Sequence, residues 1–313
     1  MMDFKRCLYS VPTLRPCSAI EPEASGGFRV DLEERYAALT HPLALDGAAA
    51  MTVTDEGDVV LVKALRTSFP WMEAAIAVLE QQIRLAIWAG QPWLAWKPIC
   101  LVGDPGTGKS HFARELASMA GLAFAALDVG SMYDAAALTA VSRGWTNTKP
   151  CWPAQMMEAF RTANPLLVLD EIEKAGGSDR NGDPHKALLS MLEPSTAARY
   201  FDTCLMAEVD LSAVCWIATA NSVENLPRPL ASRMQIIRVS GPDPEHFDIV
   251  IAGLLRDLSD NWQLPFDYLP AMPVEALRVL RQSFVRHRSV RLLKRHVETV
   301  VAAILPTRRS PLH

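Results

Sequence analysis

Apolar residues follow two rhythms along this chain, and the change of rhythm divides it. Up to about residue 240 they gather into short unbroken runs: Ile99–Val102, Ala123–Leu127, Leu166–Leu169, Val214–Ala218 and Ile236–Val239. Runs of this kind suit strands buried on both faces, and helical or loop segments separate each from the next, which predicts a parallel sheet covered by helices. Ahead of the first run, Met72, Ile76, Leu79, Ile83 and Ile87 recur at helical spacing with Glu80, Gln81 and Arg84 between them. That stripe predicts a helix packed on the sheet. After Gly241-Pro242-Asp243-Pro244 the rhythm is helical throughout: His246–Leu258, Val274–Val285 and Val290–Ile304. A helical carboxyl-terminal unit is therefore expected from about residue 243.

The amino-terminal part is less regular. Pro12, Pro16, Pro22 and Gly26-Gly27 predict a loop-like leader over residues 1–27, followed by a helical pattern around Glu33–Leu39. Met51–Thr54, the turn-like Asp55-Glu56-Gly57-Asp58 and Val59–Val62 predict a β-hairpin. The expected division is thus a leader with a small helix or hairpin element over residues 1–64, an α/β unit over 65–242 and a helical unit over 243–313. Trp88, Trp93 and Trp96 read as packing around the first strand, with partner docking as the alternative.

Composition narrows the classes. The 313 residues are half apolar, enough to bury one large or two medium cores. A net charge of −4 gives no global attraction to nucleic acid or an acidic membrane. The six cysteines form no C-x-x-C pair, and Cys100 and Cys215 fall within apolar runs, so they read as reduced, mostly buried thiols. No segment approaches the roughly twenty uncharged residues of a membrane span, and no signal-peptide core is present. A soluble, cytoplasmic protein without a membrane partner is expected.

The chemistry is concentrated at two strand ends. Gly103-Asp104-Pro105-Gly106-Thr107-Gly108-Lys109-Ser110 follows the first apolar run and opens a helical segment, matching the phosphate-loop pattern G-x-x-x-x-G-K-[ST]. Its glycines let consecutive N–H groups turn inward, Lys109 reaches β/γ oxygens, and the Ser110 hydroxyl suits Mg²⁺. With Asp104, Pro105, Gly106, Thr107, Gly108 and the adjoining His111, these residues form the expected ATP-binding set. The third run, Leu166–Leu169, ends in Asp170-Glu171, a Walker B arrangement. Asp170 there joins Ser110 as a metal-holding candidate, and Glu171 is placed to orient and polarise an attacking water.

Beyond these elements, Gly182-Asp183-Pro184, Ala187-Leu188-Leu189-Ser190-Met191-Leu192-Glu193-Pro194, Ala218-Thr219-Ala220-Asn221-Ser222 and Pro229-Leu230-Ala231-Ser232-Arg233-Met234 succeed one another. In that order they resemble the ATPase module of the Lon family, a branch of the AAA+ ATPases, over about residues 65–305. The resemblance implies a P-loop AAA+ fold: a parallel five-stranded sheet with flanking helices plus a carboxyl-terminal helical lid. It implies ATP hydrolysis with Mg²⁺ in a ring homo-oligomer, expected to be a hexamer. It also assigns roles. Asn221 matches sensor 1, positioning the lytic water, and Arg233 matches the arginine finger that reaches into a neighbouring subunit's site. Arg291, within Ser289-Val290-Arg291-Leu292-Leu293, matches sensor 2 on the lid. The alternative for Arg291 is membership of a solvated basic helix face.

Arg143-Gly144-Trp145-Thr146-Asn147 stands where the family's first pore loop grips substrate polypeptide, which makes Trp145 the pore candidate, with a buried core tryptophan as the alternative. Asp104 replaces the family's usual proline and is expected to point outward. The sequence stops at His313, directly after the lid, so the Ser-Lys protease domain of Lon is not expected here. The leading expectation is an ATP-driven protein-remodelling motor serving an effector or protease on another chain. A nucleotide-controlled assembly switch around a partner effector is one alternative. A DNA- or RNA-acting motor is another, suggested by Arg278, Arg281, Arg286, Arg288, Arg291, Lys294, Arg295, Arg308 and Arg309 crowded into the helical end.

Overall fold

The computed structural model describes residues 14–16, 36–40, 43–142, 147–176, 182–265 and 268–305. In chain order the elements begin with β1 (Leu14–Pro16), α1 (Val60–Ser68), α2 (Glu73–Trp88), β2 (Ile99–Val102), α3 (Lys109–Ala120) and β3 (Phe124–Asp128). The middle of the chain contributes α4 (Trp152–Phe160), β4 (Leu166–Asp170), α5 (Pro184–Leu192), α6 (Pro194–Ala197), β5 (Tyr200–Asp202) and β6 (Ala207–Val209). It closes with β7 (Cys215–Ala220), α7 (Arg228–Ala231), β8 (Gln235–Arg238), α8 (Phe247–Asn261), α9 (Val274–His287) and α10 (Val290–Ile304).

Five strands pair in the order β3-β4-β7-β2-β8, all parallel. Alternate side chains of each strand enter different cores, which is why the apolar runs are unbroken. Ile99, Leu101, Leu166, Val168, Cys215 and Ile217 pack with Leu61, Leu65, Ile76, Leu79, Ile83, Phe112 and Leu116 of α1, α2 and α3. Cys100, Val102, Leu167, Leu169, Trp216 and Ala218 face the other side, with Trp152, Met157, Leu188 and Met191 of α4 and α5. Helices α8 to α10 share a separate core built on Phe247, Leu254, Phe284, Leu293 and Val297.

The expected five strands, the α2 stripe and the three late helices are all present. The hairpin is not. Val53 and Val59 form a single antiparallel bridge across the Gly57 turn, and the chain then enters α1 at Val60. Leu61, Val62 and Leu65 sit at helical spacing and are all buried, so packing against α2 and α3 overrides the β preference of a short valine-rich run. Trp88 also departs from its expected packing role, since it is 86% exposed, whereas Trp96 is buried and donates from Nε1 to the Trp216 carbonyl at 3.3 Å. Leu14–Pro16, expected to be leader loop, pairs antiparallel with β6, which pairs in turn with β5. Three-residue strands leave no readable periodicity. Cys100, Cys151 and Cys215 are buried free thiols and Cys204 is buried as well, and burial pushes the Cys100 thiol up to about 12.

One buried amide ties the segment ahead of α1 to the sheet. Asn164, fully buried beside β4, accepts from the Asp46 N–H at 2.8 Å and donates to the Asp46 carbonyl at 3.0 Å and the Leu94 carbonyl at 2.8 Å. Asn164→Leu removes these partners and strands buried backbone groups, so it is expected to lower unfolding free energy by about 3 kcal/mol. Urea denaturation measures this, and an unchanged midpoint would contradict the tie.

Candidate nucleotide site

The loop after β2 is shaped by its glycines. A Cβ on Gly103 would lie 2.2 Å from the Val239 carbonyl oxygen, so the loop passes β8 at a distance only glycine tolerates. The Gly103 N–H is fixed to the Ala220 carbonyl at 3.1 Å. Gly106 and Gly108 take φ of +86° and +94°, turning the backbone before α3 opens at Lys109. Lys109 is buried, and its Nζ donates to the Gly103 carbonyl at 2.6 Å, the Asp104 carbonyl at 3.0 Å and Asn221 Oδ1 at 3.4 Å. Burial pulls its pKa down, opposed by the charges of Glu173, Asp104, Glu171 and Asp170. The Asp104 side chain is exposed, as expected of an outward carboxylate.

The end of β4 supplies the acids. Asp170 Oδ1 accepts from Ser110 Oγ at 2.7 Å and from Thr219 Oγ1 at 2.9 Å. The hydroxyl and carboxylate oxygens are the hard donors that Mg²⁺ favours, so this pair fits the cation. Glu171 takes a left-handed backbone, φ 54° and ψ 42°, which is strained for a residue with a Cβ. Its N–H donates to Thr219 Oγ1 at 3.2 Å, and a Cβ on Gly130 would lie 2.8 Å from Glu171 Cβ. The turn thus lifts the Glu171 carboxylate off the strand line. Lys174 Nζ holds Glu171 Oε1 at 2.8 Å, and that bond is the main reason the Glu171 carboxyl lies below its usual range.

Asn221 closes the group from β7. Its backbone N–H and its Nδ2 both donate to Glu173 Oε1, at 3.0 and 2.9 Å. The lid meets the loop where the Val290 N–H donates to the Gly106 carbonyl at 3.2 Å. A cleft of about 730 Å³ lies between core and lid, lined by Pro105, Gly106, Gly108, Lys109, Ser110, His111, Asp170, Glu171, Thr219, Asn221, Arg291 and Lys294, among others. Thr107 is buried under the loop and donates to the Asp104 carbonyl at 3.0 Å. His111 Nδ1 faces Asp257 Oδ2 of the lid at 3.6 Å.

Asp104 and Thr107 of the expected binding set do not line this cleft, and neither does Arg233. The Arg233 Nη1 donates to the Pro229 carbonyl at 2.7 Å, and its Nε makes an off-line charge contact with Glu193 Oε2 at 3.1 Å. Trp145 lies outside the described residues. Sequence reasoning missed Thr219, Glu173 and Lys174. Two of these follow the Asp170-Glu171 pair after Ile172, but their partners are brought in by β7 and by a tight turn that spacing alone does not reveal.

Residues 99–241 match the family described as ATPase family associated with various cellular activities (AAA). Over 232 residues the chain is 35% identical to Lon protease of Brucella suis biovar 1, covering 72% of this chain and 28% of that protein. The mitochondrial Lon protease homolog of Saccharomyces cerevisiae is 34% identical over 205 residues, 65% of this chain and 18% of that one. The chain therefore spans less than a third of the length of these relatives. Among solved structures, a closed-state cryo-EM reconstruction of Hsp104 with ATPγS and FITC casein superposes with a TM-score of 0.57 at 15% identity, over 76% of this chain and 45% of that one. At that identity the likeness concerns the fold. Among the described residues no helix is long and apolar enough to cross a membrane.

The Lys174 contact sets a pH expectation. Glu171 is held charged to lower pH than a free glutamate, and removing the ammonium lets its pKa rise. Lys174→Met is therefore expected to shift the acid limb of the kcat/KM profile for ATP hydrolysis upward in pH. A profile superimposable on the parent would show that Glu171 does not govern that limb.

Proposed function

Because this chain carries an AAA ATPase module that resembles that of the Lon proteases, we propose that it hydrolyses ATP with Mg²⁺ in a homo-oligomeric ring and uses the turnover to remodel polypeptide. Residues 65–242 act as the nucleotide-binding core and 243–313 as its lid. The observation that carries the reading is the single cleft in which Lys109, Ser110, Asp170, Glu171, Asn221 and Arg291 converge from both parts.

Lys109 exchanges its two loop carbonyls for β/γ-phosphate oxygens. Ser110 and Asp170 hold the cation, which neutralises charge building on those oxygens. Glu171, once its carboxylate leaves Lys174, accepts the proton of the attacking water while Asn221 fixes that water's position. Arg291 approaches the γ-phosphate from the lid.

Charge supports the need for a neighbour. Lys109, Arg114, Arg291 and Lys294 line the cleft against Glu115, Asp128, Asp170, Glu171, Asp257 and Asp260. The lining is net acidic, so a polyphosphate requires positive charge from outside the chain. A divalent cation supplies part of it. Arg233, held on the chain's own Pro229 and Glu193 and away from its own cleft, is suited to supply the rest to the next subunit. The nucleic-acid reading is weaker, because several of the lid arginines already face acids: Arg278 with Glu275, Arg281 with Asp248 and Arg288 with Asp243. Action on polypeptide rests on the Lon resemblance and on Trp145.

Lys109→Ala is expected to lose nucleotide affinity, whereas Glu171→Gln keeps ATP binding and loses at least about a hundredfold in kcat. Fluorescent-nucleotide titration and phosphate release separate the two defects. Full turnover by Glu171→Gln would remove this carboxylate from the mechanism. Arg233→Ala should cost about a thousandfold in kcat, with Arg233→Lys no better, since lysine lacks the planar fork. Mixed Arg233→Ala and Glu171→Gln subunits should regain part of the ATPase, because one interface in such a ring joins an intact Glu171 to an intact Arg233. A strict monomer that hydrolyses ATP at full rate would end both the ring and the finger.

A further inference from the structure

Glu173 stands beside the cleft without lining it. It follows the two Walker B acids on the short turn after β4 and is only 8% exposed. One of its oxygens, Oε1, receives both the backbone N–H of Asn221 at 3.0 Å and its side-chain Nδ2 at 2.9 Å. Two bonds from one residue to one oxygen fix both the position of Asn221 and the rotation of its amide. With Nδ2 turned to Glu173, the amide oxygen is left facing Lys109 Nζ at 3.4 Å, and Nδ2 also supports Glu171.

The other oxygen, Oε2, is buried with no hydrogen-bond partner among the described residues. A buried carboxylate oxygen left unpaired is costly, and packing alone would favour an apolar side chain here. Its retention calls for a different explanation.

We infer that Glu173 is a positioning residue for hydrolysis, acting by holding the Asn221 amide in register through the catalytic cycle. The inference rests on the ATPase reading above and on Asn221 acting beside the γ-phosphate. Of the three side chains that contact the Asn221 amide among the described residues, Lys109 is drawn to the phosphates and Glu171 to the water once ATP is bound. Glu173 is buried behind them and stays. It is then the one anchor left on Asn221 at the moment when the water must be held in line, and loss of about an ångström in such placement costs rate rather than affinity.

The test is steady-state ATPase kinetics and ADP affinity for Glu173→Ala, Glu173→Gln, Asn221→Ala and the double variant Glu173→Ala/Asn221→Ala. Glu173→Ala is expected to lower kcat by about tenfold to a hundredfold with KM and ADP affinity near those of the parent. Glu173→Gln keeps an amide oxygen able to accept both Asn221 bonds, so it should restore most of the rate. In the Asn221→Ala background, Glu173→Ala should add little, because the group it positions is gone. Equal damage from Glu173→Gln and Glu173→Ala would overturn the inference in favour of a purely electrostatic role toward Lys109. Additive losses in the double variant would overturn it too. If Asn221→Ala alone hydrolysed ATP at the parent rate, the role given to Asn221 would fail instead, and the two failures are told apart by that single variant.

Discussion

A buried ammonium group governs this molecule. Lys109 Nζ sits at the carboxyl edge of the sheet, out of water, and a buried cation is tolerated only when nearby groups answer its charge. Here the loop answers with its own carbonyls of Gly103 and Asp104, while Glu173, Asp104, Glu171 and Asp170 supply negative charge around it. Each of these depends on a different part of the fold. The carbonyls require a loop that turns back on itself, hence Gly106 and Gly108 at positive φ. The acids require β4 to end level with β2, which the parallel order β4-β7-β2 secures. The Lys109 charge is thus answered before any anion arrives, and a phosphate exchanges partners with the loop rather than building the pocket.

Much of this was legible in the residue pattern because burial on both faces of a parallel sheet leaves unbroken apolar runs, and because phosphate chemistry needs glycines and a lysine at fixed spacing. The same logic explains what was not legible. Val59–Val62 is too short for period alone to separate strand from helix, and only the buried neighbours Leu61, Val62 and Leu65 decide for the helix. The strands β5 and β6 are three residues each, and β1 joins them from the far amino terminus, so nothing local announces the second sheet. Glu173 and Lys174 were visible as charged residues, yet their roles follow from the left-handed turn at Glu171, which rotates one toward Asn221 and the other toward the carboxylate beside it.

The acids of the site play unlike parts because their surroundings differ. Asp170 is pinned by two hydroxyls and cannot swing. Glu171 is half-exposed and tied chiefly to a mobile-stemmed lysine at the surface, so its carboxylate is the one able to change partners. Glu173 is buried and tied to a backbone N–H, so it is the one least able to. Under the hydrolysis proposed above, these three would serve as a fixed metal ligand, a movable base and a fixed anchor, all within one strand end and the turn that follows it.

The lid is coupled to the loop by contact as close as that between strands. Ser289 caps α10 by accepting from the Leu292 N–H at 3.3 Å, and the same Ser289 Oγ would lie 3.1 Å from a Cβ on Gly106. The next residue, Val290, donates its N–H to the Gly106 carbonyl. The helix cap of the lid therefore rests on Gly106, one of the two positive-φ glycines that shape the phosphate cradle. A ligand that reorients this loop must move the cap, and the cap carries Arg291 and, through α10, the lid core around Leu293 and Val297. On the ATPase reading proposed above, this contact is the one through which phosphate occupancy and lid position would be coupled.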